Sequence, residues 1–280
     1  LIYPIVSVKV FLVQRANNMR FYSIRNAMCI FAENLSIAAF AMLDCGILSV
    51  VYGKWVFAAL WVGLFYFSPV KSYGVSFQFP IFIKLCKTSG QLLCTELVRA
   101  LRLQMDMLIG ARLLSPELFG LYCFAKSAGV GLSQSLNNAF NAGLYPQLCD
   151  KNRDKSLKSY VPTVYLFTGG IAALFIVQAL LVPYYVPLLF KQSWQQNHLV
   201  IMLLCFAALP AIFIDTQCNI LRAKAAFHNE FKVRLFCLFT TFICLTLFQA
   251  TDAESFAYSI LFSSLIWLLA MLPINTIKQH

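Results

Sequence analysis

The sequence predicts an all-α integral membrane protein of about eight transmembrane helices, on three observations. Of its 280 residues, 60% are hydrophobic and only 12% charged, against about 45–50% and about 25% in soluble domains. The apolar residues gather into runs of the roughly 17–25 residues that cross a bilayer as a helix. The Lys and Arg residues collect in alternate connections between those runs, the asymmetry that marks cytoplasmic loops. This composition excludes an ordinary soluble globular protein, a disordered chain and a nucleic-acid arm.

Taken in order, the first span is Ile24–Leu43. Ahead of it Leu1–Val13 is apolar but holds Pro4 and Lys9 and is too short to cross, so it reads as the tail of a span or an interfacial segment. Asp44-Cys45-Gly46 is a tight turn into the second span, Ile47–Phe67. The third, Gln91–Leu108, carries charges, and the fourth is Phe119–Tyr145. The fifth, Val161–Val182, is as clean as the second; the sixth, Leu199–Ile214, is short. Phe231–Ala250 and Phe256–Leu272 complete the set. The connection Pro183–Asn197 is the longest on the outer side.

The net charge of +11 first suggests a polyanion partner. Its distribution gives another explanation. Of the 22 Lys and Arg, 16 fall in one set of connections, among them Arg15, Lys71, Lys151, Arg222, Arg234 and Lys278. The other set holds Arg112 and Lys191, and Lys54, Arg99, Arg102 and Lys126 lie inside spans. The positive-inside rule then predicts eight crossings with both chain ends in the cytoplasm, and no nucleic acid is needed to account for the charge.

The ten Cys include no C-x-x-C pair and no Cys/His cluster with ligand spacing, so no metal site is expected. His198, His228 and His280 lie at span edges or the tail and read as interfacial. No P-loop, G-x-S-x-G or H-E-x-x-H occurs, and the outer connections are short for an enzyme working on that face. No cofactor and no catalytic residue is expected.

The informative charges are those inside spans. Each costs roughly 2.5–3.5 kcal/mol at mid-bilayer, so Glu96, Arg99, Arg102 and Asp106 together would cost about 10 kcal/mol facing lipid. At about 100° per residue they share one side of a helix with Thr88, Gln91 and Thr95. In the fourth span Lys126 shares a side with Tyr122, Gly129, Ser133, Asn137 and Asn141. Two readings stand. The spacings Glu96–Arg99 and Arg102–Asp106 suit pairing along one helix, and the two stripes suit a shared hydrated cavity. With Arg99, Arg102 and Lys126 against Glu96 and Asp106, the cavity has a slight cationic excess, which fits an anionic headgroup. Glu33 is a lone carboxylate in the first span, and Lys54 reads as a snorkelling residue.

Several stretches recur in a known order. Gln14-Arg15-Ala16-Asn17-Asn18-Met19-Arg20-Phe21 precedes the first span, and Asp44-Cys45-Gly46-Ile47-Leu48-Ser49-Val50-Val51-Tyr52-Gly53 leads into the second. Asp106-Met107-Leu108-Ile109-Gly110 and Phe119-Gly120-Leu121-Tyr122-Cys123-Phe124-Ala125-Lys126 follow. Tyr145-Pro146-Gln147-Leu148, Phe190-Lys191-Gln192-Ser193-Trp194 and Leu221-Arg222-Ala223-Lys224 close the series. The set resembles the lipopolysaccharide and O-antigen flippases, the polysaccharide-transporter branch of the MATE-like MOP exporter superfamily. Lys191 and Cys149 depart from the Gly and Ser usual there.

The resemblance implies two six-helix lobes around a cavity that opens alternately to each side. Residues 1–67 are then the last two spans of a truncated N-terminal lobe, 68–87 a cytoplasmic inter-lobe linker, and 88–280 a complete C-terminal lobe. A chain beginning at Leu1 rather than Met fits a fragment lacking about four spans, on the order of 130–200 residues. The implied function is translocation of undecaprenyl-diphosphate-linked oligosaccharide across the bacterial inner membrane, for lipopolysaccharide, capsule or exopolysaccharide synthesis. Arg99, Arg102, Lys126, Asn137 and Asn141 are the candidates for headgroup binding, and Glu96, Asp106 and Glu33 for coupling to a proton or sodium ion. The expected partners are the lipid-linked oligosaccharide, membrane lipids and other polysaccharide-assembly membrane proteins. The alternatives are a MATE-type drug or small-molecule exporter and an integral-membrane glycan polymerase or ligase.

Overall fold

The computed structural model describes residues 2–15, 18–67, 78–189, 197–248 and 252–276, and among them all regular structure is helical. The helices are α1 (Ile2–Arg15), α2 (Met19–Met42), α3 (Leu48–Tyr66), α4 (Phe79–Leu113), α5 (Pro116–Arg153), α6 (Leu157–Leu189), α7 (His198–Ala223), α8 (Phe227–Leu247) and α9 (Ala253–Thr276). They form two compact units, Leu1–Phe77 and Gln78–His280. Three of them, α3, α6 and α7, are long and apolar enough to cross a membrane by length and composition alone. Outward-facing Leu166, Leu174, Leu180, Leu181 and Leu188 leave an apolar surface on α6 that suits lipid rather than water.

In the first unit the apolar segment ahead of the first span is helix α1. Its buried Val6, Val10 and Val13 repeat at helical spacing, and Val6 and Val10 pack with Cys29, Trp61 and Phe65. Helices α2 and α3 lie close because Gly53 has no side chain; one placed there would run into Ile37 and the Glu33 backbone. The turn between them sits at Asp44-Cys45-Gly46, with Asp44 and Gly46 at φ 55° and 54°, a conformation open to Asp and Gly. Lys54 pairs with Glu33, so the lysine has a carboxylate partner on α2.

In the second unit α7 is central, packing against α5, α6 and α9. Gly129 allows the closest approach: a Cβ there would stand 3.1 Å from the Ile201 carbonyl oxygen and 3.2 Å from Cys205 Sγ. Helix α5 starts where Ser115 Oγ accepts from the Leu118 N–H and Pro116 takes the first turn, where its missing N–H costs nothing. Helix α4 packs mainly on α8 and touches α5 little. That separation opens a cleft between the two helices that bear the polar stripes.

Several boundaries differ from those the sequence suggests. Of the expected linker 68–87, residues 68–77 lie outside the described ones, and from Phe79 onward the chain is already α4. Pro80 sits in the first turn of that helix, where an N–H has no intrahelical acceptor, so the one it lacks costs nothing. Pro146, expected to close the fourth span, lies inside α5. The carbonyl it leaves free and the clash it makes fall on the preceding turn, where Ala142 and Gly143 are small. Pro183 and Pro187 likewise lie inside α6, so part of the expected outer loop is helical; Phe190, Lys191 and Trp194 lie outside the described residues. Helix α7 continues past Ile214 through Asp215 to Ala223.

Candidate functional site

Three clusters of charge lie within the second unit, and each joins different helices. The first links α4 to α5. Lys126 Nζ lies 2.7 Å from Asp106 Oδ2 and also donates to Asp106 Oδ1 at 2.8 Å and to the Leu103 carbonyl at 3.1 Å. The Tyr122 hydroxyl donates to the same carboxylate. Tyr122 is wholly buried and set edge-on against Phe256, ring centroids 5.0 Å apart, which fixes the direction of its hydroxyl. The i,i+4 pairing of Arg102 with Asp106 along one helix is therefore not the one formed; Asp106 takes its cation from the neighbouring helix.

The second cluster joins α5, α7 and α8. Asp215 accepts from Arg234 and, at 2.8 Å, from Asn137 Nδ2. Asn141 Nδ2 donates to the Asn137 carbonyl and side-chain oxygens at 2.8 and 2.7 Å, and Asn219 Nδ2 donates to Asn141 Oδ1 at 2.6 Å. The Arg234 and Asp215 side chains are 3% and 4% exposed. Arg102 stands beside this cluster with its guanidinium 4.8 Å from the Trp267 ring centre.

The third cluster centres on Arg222. Its Nη2 donates to Glu96 Oε1 on α4 at 2.6 Å and to Glu230 Oε1 on α8 at 2.5 Å, and its Nε to Glu230 Oε2 at 3.1 Å. Arg99 Nη1 lies 3.4 Å from Glu96 Oε2, a looser i,i+3 pair. Here the pairing along one helix exists and is shared with a second helix.

Two spaces adjoin these clusters. A cleft of about 680 Å³ between α4 and α5 is lined by Glu96, Arg99, Gln104, Lys126, Gln134 and Asn138, among others. A smaller chamber of about 100 Å³ lies inside the bundle, where Arg102, Asp106, Lys126, Ser133, Asn137 and Thr241 supply most of its polar lining. Leu103, Lys126, Val130 and Gln134 border both. Thus Arg99, Lys126 and Glu96 meet at the cleft, while Arg102, Asp106 and Asn137 face the chamber. Asn141 supports Asn137, and Glu33 belongs to the other unit.

Asp215, Arg222, Glu230 and Arg234 are charges the sequence reading missed or assigned to loops. Arg222 and Arg234 count there as positive-inside residues, yet both are held in ion pairs inside the helical packing, so they are structural as well. A signal existed: Asp215, Asn219 and Arg222 repeat at i, i+4, i+7 on α7, and Glu230, Arg234, Cys237 and Thr241 repeat at helical spacing on α8. Among the described residues no group of His, Cys, Asp and Glu is placed to hold a metal ion. All ten cysteines are free.

These features define an all-α membrane protein whose second helical unit contains a charge-lined cleft. Residues 1–199 match the polysaccharide biosynthesis protein family, and the chain belongs to that family. The match bears out the resemblance to the polysaccharide transporters and gives the protein a role in polysaccharide biosynthesis or export. No curated protein and no solved structure matches the chain.

Proposed function

We propose that the protein is a flippase that moves undecaprenyl-diphosphate-linked oligosaccharide across the bacterial inner membrane, with the α4–α5 cleft receiving the headgroup. One observation carries this reading: a cleft of about 680 Å³ in which Arg99 and Lys126 face the same space. That volume falls within the range of ligand sites, about 300–1,000 Å³. Arg99 offers a planar fork of donors to phosphate oxygens and Lys126 a point charge. Gln104, Ser127, Gln134 and Asn138 on the cleft walls suit sugar hydroxyls. Arg102 lines the adjoining chamber rather than the cleft wall. Glu96 and Asp106 are the carboxylates beside this space, so they are the candidates for coupling to a proton or sodium ion; Glu33 remains a candidate in the first unit.

On this reading the protein performs no chemistry, both ends of the chain are cytoplasmic, and its partners are lipid-linked oligosaccharide, membrane lipids and other polysaccharide-assembly proteins. A cationic cleft disfavours export of cationic drugs. The test follows labelled lipid-linked oligosaccharide across membranes containing the full-length protein. Arg99→Ala and Arg102→Ala are expected to lower transport at normal expression. Normal transport in both variants removes the assigned roles.

A further inference from the structure

The chamber inside the second unit is bordered by one more cation than carboxylate among the described residues. Two cations, Arg102 and Lys126, and one carboxylate, Asp106, line it. Lys126 and Asp106 satisfy each other. Arg102 is only 6% exposed, and among the described residues it has no ion-pair partner; its Nε and Nη1 lack any hydrogen-bond partner. Asp215 attracts it from beyond ion-pair distance and is itself paired with Arg234 and bonded by Asn137. The Trp267 ring covers one face of the guanidinium, but a cation–π contact is worth only about 0.5–2 kcal/mol. Removing an ion from water costs several kcal/mol.

The other polar groups on the chamber wall are already engaged. Ser133 bonds Gln178 at 3.1 Å, Gln134 donates to Asn138 at 3.1 Å, and Thr241 donates to the Cys237 carbonyl at 2.7 Å. What remains is one buried guanidinium facing a space of about 100 Å³. One water-sized probe sphere occupies about 10–15 Å³, so the chamber has room for a small ion and a few waters. It is well below the roughly 300 Å³ at which organic ligand sites begin.

We propose that this chamber binds one small inorganic monoanion, of halide or nitrate size, held on Arg102. The anion neutralises the excess charge behind the cleft and leaves Arg99 and Lys126 to face the headgroup. The site adjoins the proposed headgroup cleft, sharing Leu103, Lys126, Val130 and Gln134 with it, and its test does not depend on transport.

The test uses the purified full-length protein in detergent or nanodiscs at constant ionic strength, with thermal unfolding followed in sodium chloride, bromide, nitrate or gluconate. Chloride, bromide and nitrate are expected to raise Tm saturably, by about 2 °C at ten times the anion's Kd, while gluconate, too large for the chamber, does not. Arg102→Gln is expected to give the same Tm in all four salts. Thr241→Asp adds a carboxylate to the chamber wall and is expected to remove the anion response while the protein stays folded. This second variant keeps the question answerable where Arg102→Gln fails to fold. Equal Tm in chloride and gluconate for the unaltered protein overturns the proposal. So does a full anion response in either variant.

Discussion

The two acid–base pairs at Asp106 and Asp215 have the same chemistry in different surroundings. The Arg234 and Asp215 side chains are 3% and 4% exposed, whereas Lys126 and Asp106 are 24% and 11% exposed, and Lys126 borders a cleft. A fully buried pair is held by low dielectric and by its hydrogen bonds, and losing one partner strands a charge. A pair at a cleft remains within reach of water, an ion or an anionic ligand. The comparison therefore separates a charge pair that fixes helix packing from one that, under the proposed function, exchanges partners during transport.

The largest expected effect comes from breaking the buried pair. Arg234→Met leaves Asp215 with only Asn137 and is expected to cost about 3–5 kcal/mol, read as a collapse of Tm or of folded protein in detergent. Replacing both partners, Asp215→Leu with Arg234→Met, is expected to recover much of that loss. A double variant as unstable as the single one removes the structural reading of this pair. The cleft pair should behave differently: Lys126→Met is expected to cost about 1–3 kcal/mol, through the unpaired Asp106, and to lower transport per folded molecule at least about tenfold. Arg99→Ala, at the rim, is expected to change stability by no more than about 1 kcal/mol and to raise the apparent KM for lipid-linked oligosaccharide. The smallest effect is expected for Arg153→Ala, which loses an i,i+3 contact to Asp150 between side chains 80% and 50% exposed and should leave Tm unchanged.

Helices such as α3 and α6 were legible because they are long apolar runs, and the Asp44-Cys45-Gly46 turn because few residues adopt its backbone. Their ends were less so. A hydropathy reading stops a span at a charge, so it ended the sixth at Ile214, one residue before Asp215. That carboxylate is tolerated only because Arg234, 19 residues later, meets it, a tertiary contact that no local window contains. Pro146 misled in the same way, since its cost depends on the small residues of the turn before it. The stripe on α4 was legible from helical spacing alone. Which partner each charge takes was not: Asp106 chose Lys126 on another helix, and Glu96 is shared between Arg99 and Arg222. The family match ends at residue 199, so the buried pair lies beyond it, and its role rests on geometry alone.

Under the proposed function the headgroup enters between α4 and α5. Photo-crosslinking tests it most directly, using a lipid-linked oligosaccharide analogue with a diazirine beside the diphosphate and the full-length protein in membranes. Label is expected on the peptides that carry Arg99–Met107 and Lys126–Asn138, and an excess of unlabelled substrate should compete it away. Competable label confined to other helices, with α4 and α5 unmarked, would contradict the claim.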